Sequence, residues 1–201
     1  TYTNTIGSQF VWIPVGTGEK NAIKKANKET VDIALGRYEF TKNNDGTIKT
    51  SEYSESYTED TTANHNSDYK NAIAKDIEQF KTSANSNHGY YIGRYEAGKT
   101  DNDGFMVCKS GQEVWNYITQ PKASEVSRNM YGSEAKVTSD LINSYAWDTA
   151  IVFIQKCGTE SNSSTYSYTV GESSTSTSEP QATGTNILKA TNKIDKQCNI
   201  F

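Results

Sequence analysis

The sequence runs to 201 residues with a net charge of −4, a length that suits one domain better than two. Apolar residues make up 34%, and even with the 14 Gly the chain falls short of the about 45–50% usual for globular proteins. The core is therefore lean, and the connecting segments are rich in Ser, Thr and Asn. Lys and Arg form no block longer than Lys24-Lys25, which excludes a nucleic-acid binder held by a basic stripe. No window approaches the roughly 18 apolar residues of a membrane span, and no charged start followed by an apolar stretch marks a secretion signal. The opening at Thr1 is what a processed or trimmed product would show. The 13 Tyr argue for a folded chain rather than a disordered one.

In chain order, Gln9 to Val15 is a β-rich run stopped by Pro14 and Gly16, and predicts a first strand. Gly36 to Phe40 predicts a second. Thr41 to Asn66 is polar, with Asn43-Asn44-Asp45-Gly46 expected as a tight turn. From Asp68 to Ala84, the positions Tyr69, Ile73, Ile77, Phe80 and Ala84 fall on one face of a helix, leaving Lys75, Asp76 and Lys81 for solvent. Gly89 to Ala97 and Phe105 to Lys109 predict a hairpin turned at Asp101-Asn102-Asp103-Gly104, where the Asn/Asp-Gly chemistry supplies positive φ angles. The same tetrad has the first spacing of an EF-hand loop. The twelfth position of that loop holds Gln112 instead of Glu, so the tetrad reads as a turn and no metal is expected.

Pro121 to Tyr131 predicts a short helix with Ala123, Val126 and Met130 on one face. Ser139 is the expected N-cap of the main helix, Asp140 to Lys156, which Gly158 ends. Leu141, Ile142, Tyr145, Ala146, Thr149, Val152, Phe153 and Lys156 keep helical spacing along it. Thr159 to Thr185 is dominated by Ser, Thr and Gly, with Tyr166, Tyr168 and Val170 hinting at a strand. It reads as an exposed loop or a glycan-bearing segment, and Asn162-Ser163-Ser164 is a formal glycosylation sequon.

Two groups of residues could carry chemistry. Gly-Arg-Tyr-Glu occurs at Gly36 to Glu39 and again at Gly93 to Glu96. A pairing of Glu39 with Glu96 would resemble the two carboxylates of a glycosidase. The reading adopted is structural: two neighbouring strands repeating one Arg–Glu surface pair beside a buried Tyr. The cysteines are Cys108, Cys157 and Cys198; none shows CxxC spacing, and only His65 and His88 are available as partners, so structural zinc is not expected. Cys108 lies in an apolar strand and reads as a small buried hydrophobe. Cys157 ends a helix and Cys198 lies near the C-terminus, so these two form a candidate disulfide, the alternative being three separate thiols. Closing a loop of roughly 40 residues would stabilise the fold by about 3–4 kcal/mol, and it requires an oxidising compartment.

Four stretches, in order, resemble the formylglycine-generating-enzyme-like branch of the C-type lectin fold. They are Phe10 to Val15, Tyr90 to Ala97, Ser144 to Ala150 with its Trp147-Asp148 pair, and Asn199-Ile200-Phe201 as the lead-in to the family's Ala-Gly-Asn signature. The resemblance implies an α+β domain over residues 1–201, with two main helices on a small, twisted, mostly antiparallel sheet and long polar loops. Residues 41–67 and 159–179 would be polar insertions. Helical spacing sets Trp147 at the flank of the apolar stripe, where it could be exposed for binding, whereas the resemblance implies that it is buried in the core. The sequence stops where the family's closing signature would begin, so the domain is expected to be incomplete at its C-terminus. The missing strand would come from further sequence or from a neighbouring subunit adding it to an open sheet edge.

The resemblance carries no catalytic residue across. None of the three cysteines occupies the family's copper-holding positions, and neither histidine begins the His-x-x-x-His-x-Glu pattern of its iron-binding relatives. No cofactor is expected. The expected function is a non-catalytic module at the cell surface or outside the cell: an adhesin, or the ectodomain of a pilus or filament subunit. Such a module would associate with itself, a neighbouring subunit, a glycan or a protein ligand. The alternatives are a formylglycine-generating-type oxidase whose active site lies in other sequence, and a receptor-binding variant of phage or retroelement type.

Overall fold

The structure is a computed structural model in which residues 7–25, 27–45, 48–52, 67–100, 105–110, 112, 114–115, 118–131 and 136–157 are described. Through them the chain runs β1 (Phe10–Pro14), β2 (Ile23–Lys24), β3 (Thr30–Val31), β4 (Tyr38–Lys42), β5 (Ile48–Glu52), α1 (Ser67–Ser86), β6 (Gly89–Gly93), β7 (Gly98–Lys99), β8 (Met106–Val107), α2 (Gln120–Arg128) and α3 (Ser144–Cys157). The architecture is α+β, with three helices and small antiparallel sheets. Among the described residues these are two-stranded, pairing β1 with β6, β2 with β3, β4 with β5 and β7 with β8. No helix among them is long and apolar enough to cross a membrane.

The core forms around α3. Its Ala146, Ala150, Ile151, Val152, Phe153, Ile154 and Cys157 are all buried, and a helix apolar on nearly every side belongs in an interior. Ile13 from β1, Val15 just after it, Ile33, Ala84 from α1 and Tyr90 from β6 close around it, with Phe80 and Leu35 at the margin. Burial of each large aliphatic side chain contributes about 1.5–3 kcal/mol. Phe80 meets Tyr90 edge-on at 5.2 Å between ring centroids, and the Tyr90 hydroxyl donates to the Ala146 carbonyl.

Two polar residues of α3, Asp148 and Thr149, are buried as well, and buried polar groups need partners. Both find them in the segment entering β4. Arg37 Nε donates to Asp148 Oδ2 at 2.8 Å, and the Tyr38 backbone N–H donates to the same oxygen at 3.0 Å. The Gly36 N–H donates to Thr149 Oγ1 at 3.2 Å, and the Thr149 hydroxyl faces the Gly36 carbonyl at 3.4 Å. Two turns further on, Lys156 Nζ donates to the Asp32 carbonyl at 2.7 Å. On the surface, Arg128 joins α2 to α1 and to the lead-in of α3, through Asp76 at 2.6 Å and Asp140 at 3.0 Å.

Several elements depart from the sequence-based expectation. The main helix starts at Ser144 rather than Asp140. Its N-cap is Asn143, which accepts from the Ala146 N–H through Oδ1 at 3.0 Å and from the Trp147 N–H through its carbonyl, the arrangement a cap requires. Ser139 instead donates its hydroxyl to the Ser127 carbonyl at 2.7 Å, and Leu141 and Ile142 are exposed ahead of the helix. The predicted long hairpin reduces to β7 and β8, because β6 pairs with β1. That pairing sets Tyr90 and Ile92 opposite Ile13 and Val11 on the core side, so both strands bury apolar side chains.

The polar stretch 41–67 contains β5, paired with β4 from Tyr38↔Glu52 to Lys42↔Ile48. It is tied to α3 by the Thr50 hydroxyl, which donates to Gln155 Oε1 at 2.7 Å. The two Gly-Arg-Tyr-Glu repeats do not lie on neighbouring strands. The first leads into β4 and the second follows β6, in separate sheets, and Arg37 turns to Asp148 while Arg94 Nη1 donates to Gln9 Oε1. The Asp101–Gly104 turn, Gly158, residues 159–185 with their sequon, Cys198 and the Asn199 lead-in lie outside the described residues, as do the side chains of Tyr69 and Ile73.

Removing the carboxylate that joins α3 to the β4 lead-in leaves Arg37 and the Tyr38 N–H without their acceptor. Arg37 is partly solvated, so Asp148→Ala is expected to cost about 2–3 kcal/mol and Asp148→Asn, which keeps an acceptor, about half as much, read as midpoint shifts in urea unfolding.

Candidate functional site

In a strand, successive side chains point to opposite faces. Every residue of β1, Phe-Val-Trp-Ile-Pro, is apolar, and β6, Gly-Tyr-Tyr-Ile-Gly, carries two adjacent tyrosines. Pairing them antiparallel leaves an apolar surplus that one core cannot cover. The register is Phe10↔Gly93, Val11↔Ile92, Trp12↔Tyr91, Ile13↔Tyr90 and Pro14↔Gly89. Val11, Ile13, Tyr90 and Ile92 face the core. The opposite face presents Trp12, 39% exposed, and Tyr91, 67% exposed.

These two rings form a cross-strand pair, with centroids 4.9 Å apart and planes at 65°, the edge-to-face geometry that the aromatic quadrupole favours. Trp12 also rests on bare backbone. At Gly89 a Cβ would lie 2.4 Å from Trp12 Cζ2 and 2.6 Å from Cε2, so only glycine lets the indole settle there. Gly89 has φ 152 and His88 before it φ 57, a turn out of α1 that L side chains rarely adopt. The turn is held by the Val15 N–H, which donates to the His88 carbonyl at 3.0 Å, and by Asn87 Nδ2, which donates to the Ser83 carbonyl at 2.9 Å. One period along the strand, half-buried Phe10 meets Tyr131 at 6.3 Å. At the far end, Arg94 Nη1 donates to Gln9 Oε1 at 2.9 Å and the guanidinium lies over the Tyr95 ring.

Trp147 is not in the core: it is 40% exposed. Trp147 shares its side of α3 with buried Ile151 and Ile154, but it sits in the first turn of the helix, where that side is not yet covered. Cys157 is buried, and its proposed partner Cys198 lies outside the described residues. Cys108 is buried too. Its N–H donates to Ser8 Oγ at 3.1 Å, and burial pushes the thiol up to about 11. Glu39 and Glu96 are both exposed, the first in β4 and the second in the segment between β6 and β7. Among the described residues, no three His, Cys, Asp or Glu side chains gather as a metal site would require.

The aromatic face is what sequence reasoning passed over. One signal was available: Tyr90 and Tyr91 are adjacent on a strand, so one of them must point away from the core. No protein-family model, no curated protein and no solved structure matches this chain.

Two outcomes follow from this geometry. Gly89→Ala is expected to cost about 1–3 kcal/mol through backbone strain and to displace the indole, seen as a red shift of Trp emission in the folded state. Cys108 stays protonated in the fold, whereas an exposed thiol ionises near about 8.5. Its contribution to stability is therefore full below about pH 8.5 and falls as pH rises toward about 11. Alkylation of Cys108 by iodoacetamide at pH 8 should be slow in the native protein and fast in urea.

Proposed function

We propose that the chain is a non-catalytic surface module, an adhesin or the ectodomain of a pilus or filament subunit, working outside the cell. Its fold would be that of the formylglycine-generating-enzyme-like branch of the C-type lectins. The four sequence stretches support that finer assignment, and the α+β architecture is compatible with it. The observation that carries the functional reading is the Trp12–Tyr91 pair. Aromatic side chains held rigidly at a surface give large contact area with few rotatable bonds to immobilise, which is how binding surfaces gain affinity. Ligand or neighbouring subunit would meet the module on this face, and no residue is assigned a catalytic role.

The purified protein should bind intact cells, a glycan array or further copies of itself, and Trp12→Ala and Tyr91→Ser should each reduce that binding while leaving the melting transition in place. A protein that binds none of the three overturns the reading. So does one that converts a Cys-containing peptide to the aldehyde.

A further inference from the structure

We infer that the solvent-facing side of the Trp12 indole is a stacking platform for one ring of a neutral oligosaccharide. The inference rests on the surface-module reading and names its ligand. Trp12 is held from behind by the Gly89 backbone and alongside by the Tyr91 ring, 4.9 Å away and inclined at 65°. Its exposed side is thus fixed in orientation before anything binds, and little side-chain freedom remains to be lost on binding. A pyranose presents several C–H bonds on one side, and their partial positive charge suits the negative face of an indole. The phenol of Tyr91, on a ring two-thirds exposed, offers a donor and an acceptor beside that ring to the sugar's hydroxyls.

Size and charge select the occupant. At the exposures given, the two rings offer together about 250 Å², far below the about 800 Å² per partner of a stable protein interface but enough to cover one face of a sugar. The ten residues of β1 and β6 include no Asp, Glu, Lys or Arg, in a chain where 22% of residues are charged. Arg94 keeps its charge, since Gln9 and Tyr95 are both neutral, but it lies past Gly93, at the end of the strand pair. Two strands that bring no charge of their own suit a neutral sugar over a sialylated one.

The test is NMR of the full chain with its three tryptophans labelled at the indole nitrogen. Cellotetraose, N-acetylchitotetraose and mannotetraose are titrated separately, with sialyllactose and a proline decapeptide as comparisons. The Trp12 resonance should shift saturably with at least one neutral oligosaccharide while those of Trp115 and Trp147 stay in place. Affinity should fall about tenfold in Trp12→Ala, fall less in Trp12→Phe, which keeps a ring, and weaken in Tyr91→Ala, whose exposed position keeps folding intact. The inference is overturned if no neutral oligosaccharide moves the Trp12 resonance or if ring-less but folded variants bind as the wild type does. Tighter binding of sialyllactose or the proline peptide, or a Trp12-dependent dimer in sedimentation, also overturns it. Cell adhesion or self-association that depends on Trp12 in the absence of sugar binding removes the sugar and leaves the surface-module reading standing.

Discussion

The structure depends on a helix that has almost no outside. α3 is apolar around most of its circumference, so it is stable only when other elements surround it. The side chains that could spoil this are Asp148 and Thr149, polar groups facing the interior. The fold uses them as attachment points, and their partners are the backbone of Gly36 and Tyr38 and the side chain of Arg37. Hydrophobic burial is non-directional and would let α3 rotate or slide against its neighbours. The hydrogen bonds to a single carboxylate oxygen and a single hydroxyl are directional and set one rotation, which brings the Ala146 carbonyl to the Tyr90 hydroxyl, with β1 paired alongside β6.

With that rotation set, the strand pair over α3 has a forced geometry. Ile13 and Tyr90 are required inside, and a strand cannot turn one residue in without turning its neighbours out. Trp12 and Tyr91 are outside for this reason. The seat of the Trp12 indole on Gly89 gives the outer face an order of its own, because the indole covers a glycine that lies in a conformation other residues avoid. The left-handed turn at His88 and Gly89 therefore closes the exit from α1, aligns β6 with its partner and seats the tryptophan.

The parts of this arrangement legible in the sequence were those encoded by local period. Ile77, Phe80 and Ala84 identify α1, and Ala146 to Phe153 identify α3, because helical spacing is a property of neighbouring residues. Partnership is not. That Gly89–Gly93 pairs with Phe10–Pro14 instead of turning back on Phe105–Lys109 depends on which pairing buries more, a comparison between segments about eighty residues apart. The cap was misplaced because Ser139 and Asn143 both have the right chemistry, and the choice falls to Asp140, which is drawn to Arg128 and so leaves the helical path. The repeated Gly-Arg-Tyr-Glu invited a single explanation for both copies, whereas a buried Asp148 within reach of Arg37 gives the first a partner that the second lacks. The burial of Trp147 followed from a resemblance, and its place in the first turn of α3, ahead of buried Ile151 and Ile154, leaves it exposed. The aromatic face was least legible: in a run where every residue is apolar, alternation does not show which side will be left outside.

The bonds between Gly36 and Thr149 span 113 positions of chain, and the first strand waits for a partner as far along as Gly93. During synthesis from the N-terminus, the elements up to α2 are complete before the helix that organises them exists. Contacts at such separation make folding slow, since a long loop must close before the stabilising contact is made. The nascent chain therefore travels as an unsettled polymer, with Ile13, Val15 and Ile33 uncovered, until its last described helix has been made. Such a chain exposes apolar surface and unpaired strand edges, the condition in which aggregation competes with folding. The same delay makes premature release near Trp147 a route to aggregation rather than to a shortened but functional product.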